Sequence, residues 1–225
     1  MRYIDTHTHL DFPAFADDRE QVLARCRSLG INRLVVLGVS RSNWQRVWSL
    51  AENEPAIHAA LGMHPVFLDD HQQEHLAELH ERLAAVARHP KCCAVGEIGL
   101  DYFVPGLDRE RQHRLFADQL ALAAEFELPA LLHVRRAHAP TIALLKQVKL
   151  PRAGIVHAFS GSLEEAREYI RLGFKLGLGG AATWPRARRM HRVIAELRGE
   201  TPEALARTCW HNSCELFGWD PTAVC

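Results

Sequence analysis

Two histidines one residue apart, His7 and His9, close the short apolar opening YIDTHTH. On a β-strand side chains alternate between faces, so Asp5, His7 and His9 would share one face while Ile4, Thr6 and Thr8 take the other. Two imidazoles side by side make a chelate for a first-row divalent metal ion, which takes neutral nitrogen donors readily. A lone H-x-H pair also fits two hydrogen-bonded surface histidines, so the rest of the chain has to decide. Residues suited to the same chemistry recur where later apolar runs end: Ser40, His64, Glu97 with Asp101, His133 with Arg135, and His157 with Ser160. From His9 to His64, Glu97, His133 and His157 the steps are 55, 33, 36 and 24 residues. One strand plus one helix occupies about that length, the first step counting as two units.

The elements that must position these groups are legible as alternation. Strands are expected at 3–9, 33–39, 57–63, 92–98, 129–134, 154–158 and 174–179, all short and rich in apolar residues. Between them apolar positions recur at three and four, as over 17–29, 42–53, 71–88, 108–126 and 162–172, which predicts helices. Asp17, Ser42, Asp108 and Ser162 suit N-caps, and Gly30 and Gly173 suit helix stops. Such alternation predicts a parallel α/β sheet, and no G-x-G-x-x-G follows the first strand to suggest dinucleotide binding. In a (β/α)8 TIM-type barrel the C-terminal strand ends converge on one mouth, where catalytic groups sit. His7, His9, Glu97, His133 and His157 are therefore the expected metal ligands.

Composition narrows the class. With 225 residues, 48% of them hydrophobic, the chain fits one barrel domain over 1–225 better than two small domains. Twenty-seven basic and 27 acidic residues cancel, so no overall positive charge draws the chain to nucleic acid, and phosphate affinity must come from local groups or bound metal. The N-terminus lacks a signal-peptide pattern and no apolar run nears the roughly 20 residues of a membrane span, so a soluble cytoplasmic protein without membrane partners is expected. Six cysteines without a C-x-x-C pair are expected to be reduced packing residues. Nothing demands an oligomer, and a monomer is compatible with the pattern.

Six ordered motifs, DTHTHLD, GMHP, GEIGLDY, LLHVRRA, VHAFSGS and the C-terminal WHNSCELFG, together resemble the TatD family of metal-dependent deoxyribonucleases, within the amidohydrolase-like barrels. The resemblance runs over 3–183 and again over about 198–219. It implies two divalent metal ions (Mg2+, Mn2+ or Zn2+), with His7 and His9 on the first, Glu97 bridging as the catalytic carboxylate, and His133 and His157 on the second. It also implies phosphodiester hydrolysis in DNA, single-stranded by preference and from the 3′ end, with RNA as a further substrate. Arg135 and His64 are the expected substrate-binding residues. A rim salt bridge for Arg135 and a loop cap before Pro65 for His64 are the alternatives. Asp101 suits either a histidine-orienting carboxylate or a loop anchor, Tyr102 and Phe103 either base stacking or core packing, and Asn212 a structural place in the last helix. The ligand set alone does not name the scissile bond, so an amide or ester hydrolase, such as an aminoacyl-tRNA deacylase, stands beside the nuclease.

One family feature is missing. The resemblance implies an eighth strand carrying E-T-D-[AS]-P, whose aspartate ligates metal and accepts a proton from the attacking water. Here GLGGAATWPRARRMHRVIAEL passes directly into RGETPEALARTCWHNSCELFGW, with Thr201 as the expected cap and Pro202 opening the helix, and no aspartate occurs between Asp118 and Asp220. Barrels of this type run to about 250 residues and eight units, whereas seven strands are legible here. The expectation is a barrel whose eighth strand segment is absent from this sequence, through a segment not represented in it or a true deletion, the former favoured because an open seam is costly. A chain lacking both strand and base could also be a non-catalytic barrel.

Overall fold

The computed structural model describes residues 2–179 and 202–223. Seven parallel strands pair in chain order: β1 (Tyr3–Thr8), β2 (Ile31–Leu37), β3 (Ile57–Leu61), β4 (Cys92–Asp101), β5 (Ala130–Arg135), β6 (Gly154–Val156) and β7 (Lys175–Leu176). The helices between them are α1 (Arg19–Ser28), α2 (Arg41–Asn53), α3 (Glu74–Val86), α4 (Arg109–Glu125), α5 (His138–Gln147) and α6 (Leu163–Arg171), with α7 (Pro202–Phe217) at the C-terminus. This is a curled α/β sheet of the TIM type, short of one strand: among the described residues β1 and β7 do not pair.

The central strands are apolar on both faces because each face meets a different layer. Along β2, Leu34 and Val36 join the large core beneath the helices, packing with Trp44, Val47 and Leu61. Val35 and Leu37 turn the other way into the barrel, joining Ala60, Ala94, Leu131 and Ile155, and Leu216 and Phe217 of α7 plug that interior. The period of two along one strand thus separates two cores. Removing each such large side chain from water is worth about 1.5–3 kcal/mol.

The seam between β1 and β7 has the opposite character. A cleft of about 620 Å³ opens there, lined by Tyr3, Leu29 and Leu178 among others and touching His7 and His157. Tyr3 and Leu178 remain 39% and 45% exposed. On this free edge the His7 N–H donates to the Asp5 carboxylate at 3.0 Å, a side chain filling the role of a neighbouring strand's carbonyl. The stretch 183–201, where a tight connection would have spoken against an unrepresented eighth-strand segment, and the expected Thr201 cap lie outside the described residues.

Several boundaries differ from expectation. Ser40, not Ser42, caps α2, in a reciprocal capping box with Asn43. Asp18, not Asp17, precedes α1. Strand β4 continues to Asp101 instead of ending at residue 98, so Glu97 lies in its interior and Asp101, not Glu97, stands at its end. Strands β6 and β7 are shorter than expected because β7, at the open seam, has no outer neighbour among the described residues to extend its ladder. Asp108 and Ser162 cap α4 and α6, and Gly30 and Gly173 follow α1 and α6 at φ of 82° and 85°.

At the barrel floor His58, 8% exposed, packs on Trp219 with ring centroids 4.2 Å apart. Burial, reinforced by the Lys91 and Arg33 cations, pushes its pKa down to about 3 from the usual 6.5. Above pH 6.5 the group is neutral in both folded and unfolded chains and contributes nothing. Below it only the unfolded chain takes up the proton, so stability falls as pH falls. Between pH 7.5 and 5, urea titrations are expected to show the wild-type chain losing about 2 kcal/mol more than His58→Gln. Parallel losses would remove His58 as a source of acid lability.

Candidate functional site

Glu97 is the hub of the site. It is 1% exposed, and four imidazoles converge on its two oxygens. His7 Nε2 lies 3.1 Å and His9 Nε2 3.4 Å from Oε2, while His133 Nδ1 lies 3.3 Å and His64 Nε2 3.5 Å from Oε1. Burial alone would raise the carboxyl pKa, but the His64, His133 and His7 imidazoles outweigh it and hold Glu97 ionised, well below the usual range. A buried carboxylate ringed by imidazoles, with no lysine or arginine among its ion-pair partners in the described residues, is the donor set of a divalent cation site. Two groups have ligand atoms within 4.8 Å of one another: His7, His9 and Glu97, and His64, Glu97 and His133.

The histidines differ in which nitrogen is free. His64 Nδ1 accepts the Val66 N–H at 3.1 Å, so the proton of the neutral ring sits on Nε2, which points at Glu97 Oε1. Burial lowers the pKa of this ring from its usual value, against the opposing pull of Glu97, and its Nε2 proton is held toward that carboxylate. While that turn holds, His64 offers a donor proton to an oxygen and no lone pair to a metal. It caps the 3-10 turn Pro65–Asp70, the loop role expected of it, while its Nε2 faces Glu97.

His133 is the reverse case. Its Nε2 is tied to Asp101 Oδ2 at 2.8 Å, leaving Nδ1 toward Glu97, the arrangement in which a carboxylate orients a metal-ligating imidazole. Burial would lower its pKa, but Asp101 and Glu97 raise it to about 9. The other Asp101 oxygen accepts the N–H groups of Phe103 and Val104 at 2.8 and 2.9 Å. Histidine orientation and loop anchoring are thus divided between its two oxygens. His157 stacks on His7, with centroids 3.4 Å apart and planes within 11°. Burial, and then the neighbouring His7, push its pKa down to about 3, so it presents a neutral ring. Arg135, at the end of β5, is exposed, and no carboxylate pairs with it among the described residues.

Helix α4 holds two of these positions in place through buried glutamines. Gln119 accepts the Met63 N–H at 2.7 Å and donates to its carbonyl at 3.1 Å, next to His64. Gln112 does the same for Asp101 at 2.8 and 3.0 Å. Sequence reading missed both, although they interrupt the apolar stripe of Phe116, Leu120 and Ala123 on the same face, which is the signal that would have found them. Gln119→Leu keeps the volume but strands two buried backbone groups. A loss of about 2–4 kcal/mol in urea unfolding is expected, and a loss under 1 kcal/mol would show that water replaces the clamp.

The sequence profile of the TatD related DNase family matches residues 4–196, most of the chain. The chain belongs to that family. It is similar to the uncharacterized metal-dependent hydrolase YjjV of Escherichia coli, 45% identical over 197 residues that cover 87% of this chain and 75% of the relative. The crystal structure of YjjV, a TatD homolog, superposes with a TM-score of 0.89 at 36% identity, covering 97% of this chain and 99% of that one. The 3′-5′ ssDNA/RNA exonuclease TatD of Erwinia billingiae is 31% identical over 263 aligned positions, which cover 95% of this chain and 98% of the relative. Since this chain has 225 residues, at least 38 of those positions have no residue of it opposite them. Like its TatD relatives the chain is a metal-dependent hydrolase by family, and no helix among its described residues is long and apolar enough to cross a membrane.

Proposed function

We propose that the protein hydrolyses phosphodiester bonds of single-stranded DNA, with RNA as a second substrate, removing nucleotides from the 3′ end. The observation that carries this reading is the buried Glu97 carboxylate with four imidazoles within 3.5 Å of its oxygens, with the exposed Arg135 two residues beyond His133 on β5. His7 and His9 would hold one divalent ion, Glu97 would bridge, and His133 with His157 would hold the second. Bound at such a site, Mg2+, Mn2+ or Zn2+ supplies Lewis acidity toward phosphate oxygens and a water acidic enough to attack near neutral pH. The chain's own groups do the rest. Asp101 fixes the His133 ring, His64 donates its Nε2 proton to a phosphate oxygen, and Arg135 offers a planar fork of N–H donors to another.

The family's eighth-strand aspartate has no equivalent among the described residues, and Asp101 is already committed to His133 and its own loop. For a chain in which the deletion is real, slow turnover is expected, and in that case the same observation favours a non-catalytic metal-binding barrel as the second reading. A 5′-labelled single-stranded oligonucleotide incubated with Mg2+, Mn2+ or Zn2+ tests both. Shortening from the 3′ end that EDTA abolishes is the expected result. Turnover of amide or ester substrates instead would replace the nuclease reading, and metal binding without any turnover would establish the second.

A further inference from the structure

The loop after β4 carries two aromatic residues with different fates. The Tyr102 hydroxyl is bound to His113 Nε2 at 2.6 Å and its ring lies under the Arg109 guanidinium, 4.4 Å away, so it anchors the loop. Phe103 is 44% exposed. An exposed phenylalanine at the rim of a polar site is unexpected for core packing, and its neighbours are unusual too. The Arg135 guanidinium carbon lies 3.6 Å and that of Arg136 4.8 Å from the Phe103 ring centroid. Both arginines are exposed, and neither has a carboxylate partner among the described residues. Arg136 moreover sits at φ of 53°, a conformation that residues with a Cβ rarely adopt.

We propose that Phe103, Arg135 and Arg136 form a nucleotide subsite at the mouth of the metal centre, the ring stacking a base and the two guanidinium groups taking the adjoining phosphate. A guanidinium stacked on an aromatic face keeps its N–H edge pointing outward, pre-organised for phosphate oxygens. Stacking on an exposed ring is indifferent to base identity, as a non-specific single-strand reader requires. The subsite is fixed to the reacting centre by short links. The Phe103 N–H is held by the Asp101 carboxylate that orients His133, the Tyr102 N–H donates to the Arg135 carbonyl at 2.9 Å, and Arg135 stands two residues beyond His133. Duplex DNA hides its base faces in the stack, so this subsite selects unpaired ends.

The inference rests on the nucleic-acid reading of the site, but its test reads binding alone. Fluorescence anisotropy in EDTA would compare an oligothymidylate with an abasic oligonucleotide of equal length, which has the same phosphates and no bases. The wild-type chain is expected to bind the thymidylate about ten-fold more tightly. Phe103→Ala should abolish that ratio, Phe103→Tyr should keep it, and Arg135→Gln should weaken both ligands alike. Equal affinity of the wild type for the two ligands, failure to bind either, or an unchanged ratio in Phe103→Ala would overturn the subsite. A retained ratio in a chain that cleaves no phosphodiester would leave the subsite standing and remove the nuclease reading. The reverse pattern would do the opposite.

Discussion

Glu97→Gln is expected to lower metal-dependent hydrolysis by at least about 10³-fold, because the substitution removes the charge and one of the two carboxylate oxygens on which four imidazoles converge. An amide nitrogen cannot ligate a metal ion, and its two hydrogens would face imidazoles that now meet an oxygen of Glu97 on each side. The apo protein is expected to weaken as well. The imidazoles around Glu97 outweigh its burial and hold it ionised, so a neutral amide forfeits that interaction and leaves His133 with one carboxylate fewer, and the urea midpoint of the variant in EDTA is expected to fall below that of the wild type. The rise in melting temperature that Mn2+ gives the wild type should disappear with the activity, since ligand-linked stabilisation requires affinity for the folded state. Activity within ten-fold of wild type, or an undiminished metal-induced shift, would remove Glu97 from the centre of the mechanism.

Much of this site could be read from the sequence because barrel geometry converts strand ends into neighbours. Seven apolar runs, five of them followed by a helical pattern, required His7, Glu97 and His133 to meet, and their nitrogens and oxygens do meet at 3.1–3.3 Å. What sequence could not supply is the direction in which each ring is protonated. His64 and His133 look alike in a string of letters, yet the Val66 N–H on one Nδ1 and the Asp101 carboxylate on the other Nε2 give them opposite abilities. Both contacts depend on turns of two to four residues and on a pairing across strands, neither of which leaves a periodic trace. Helix α5 escaped for a related reason: Pro140 near its start reads as a break, although in the first turn the missing N–H has no helical acceptor to lose. The extension of β4 to Asp101 escaped because Gly99 and the acidic residues interrupt its apolar run.

That glycine is the point at which fold and site are least separable. Gly99→Ala is expected to cost about 3–5 kcal/mol and to abolish catalysis together with folding stability. Gly99 pairs with His133 across the β4–β5 ladder at φ of 143°, in a region that L side chains rarely adopt. A Cβ built there would lie 2.0 Å from the His133 carbonyl oxygen and 3.0 Å from its carbonyl carbon. Backbone atoms cannot swing aside as a side chain would, so β4 and β5 must separate, and the His133 ring moves away from both Asp101 and Glu97. Gly106→Ala supplies the control. It has a comparable positive φ of 82° but nothing within 4 Å of an added Cβ, so it should cost only the conformational strain, about 1–2 kcal/mol, and leave metal binding intact. Urea unfolding of both variants with and without Mn2+ separates the contributions. Equal losses in the two would mean that backbone strain alone is at work. A much larger loss at Gly99, with the metal-induced shift gone, would mean that the close approach of β4 to β5 is what holds His133 in register with Glu97.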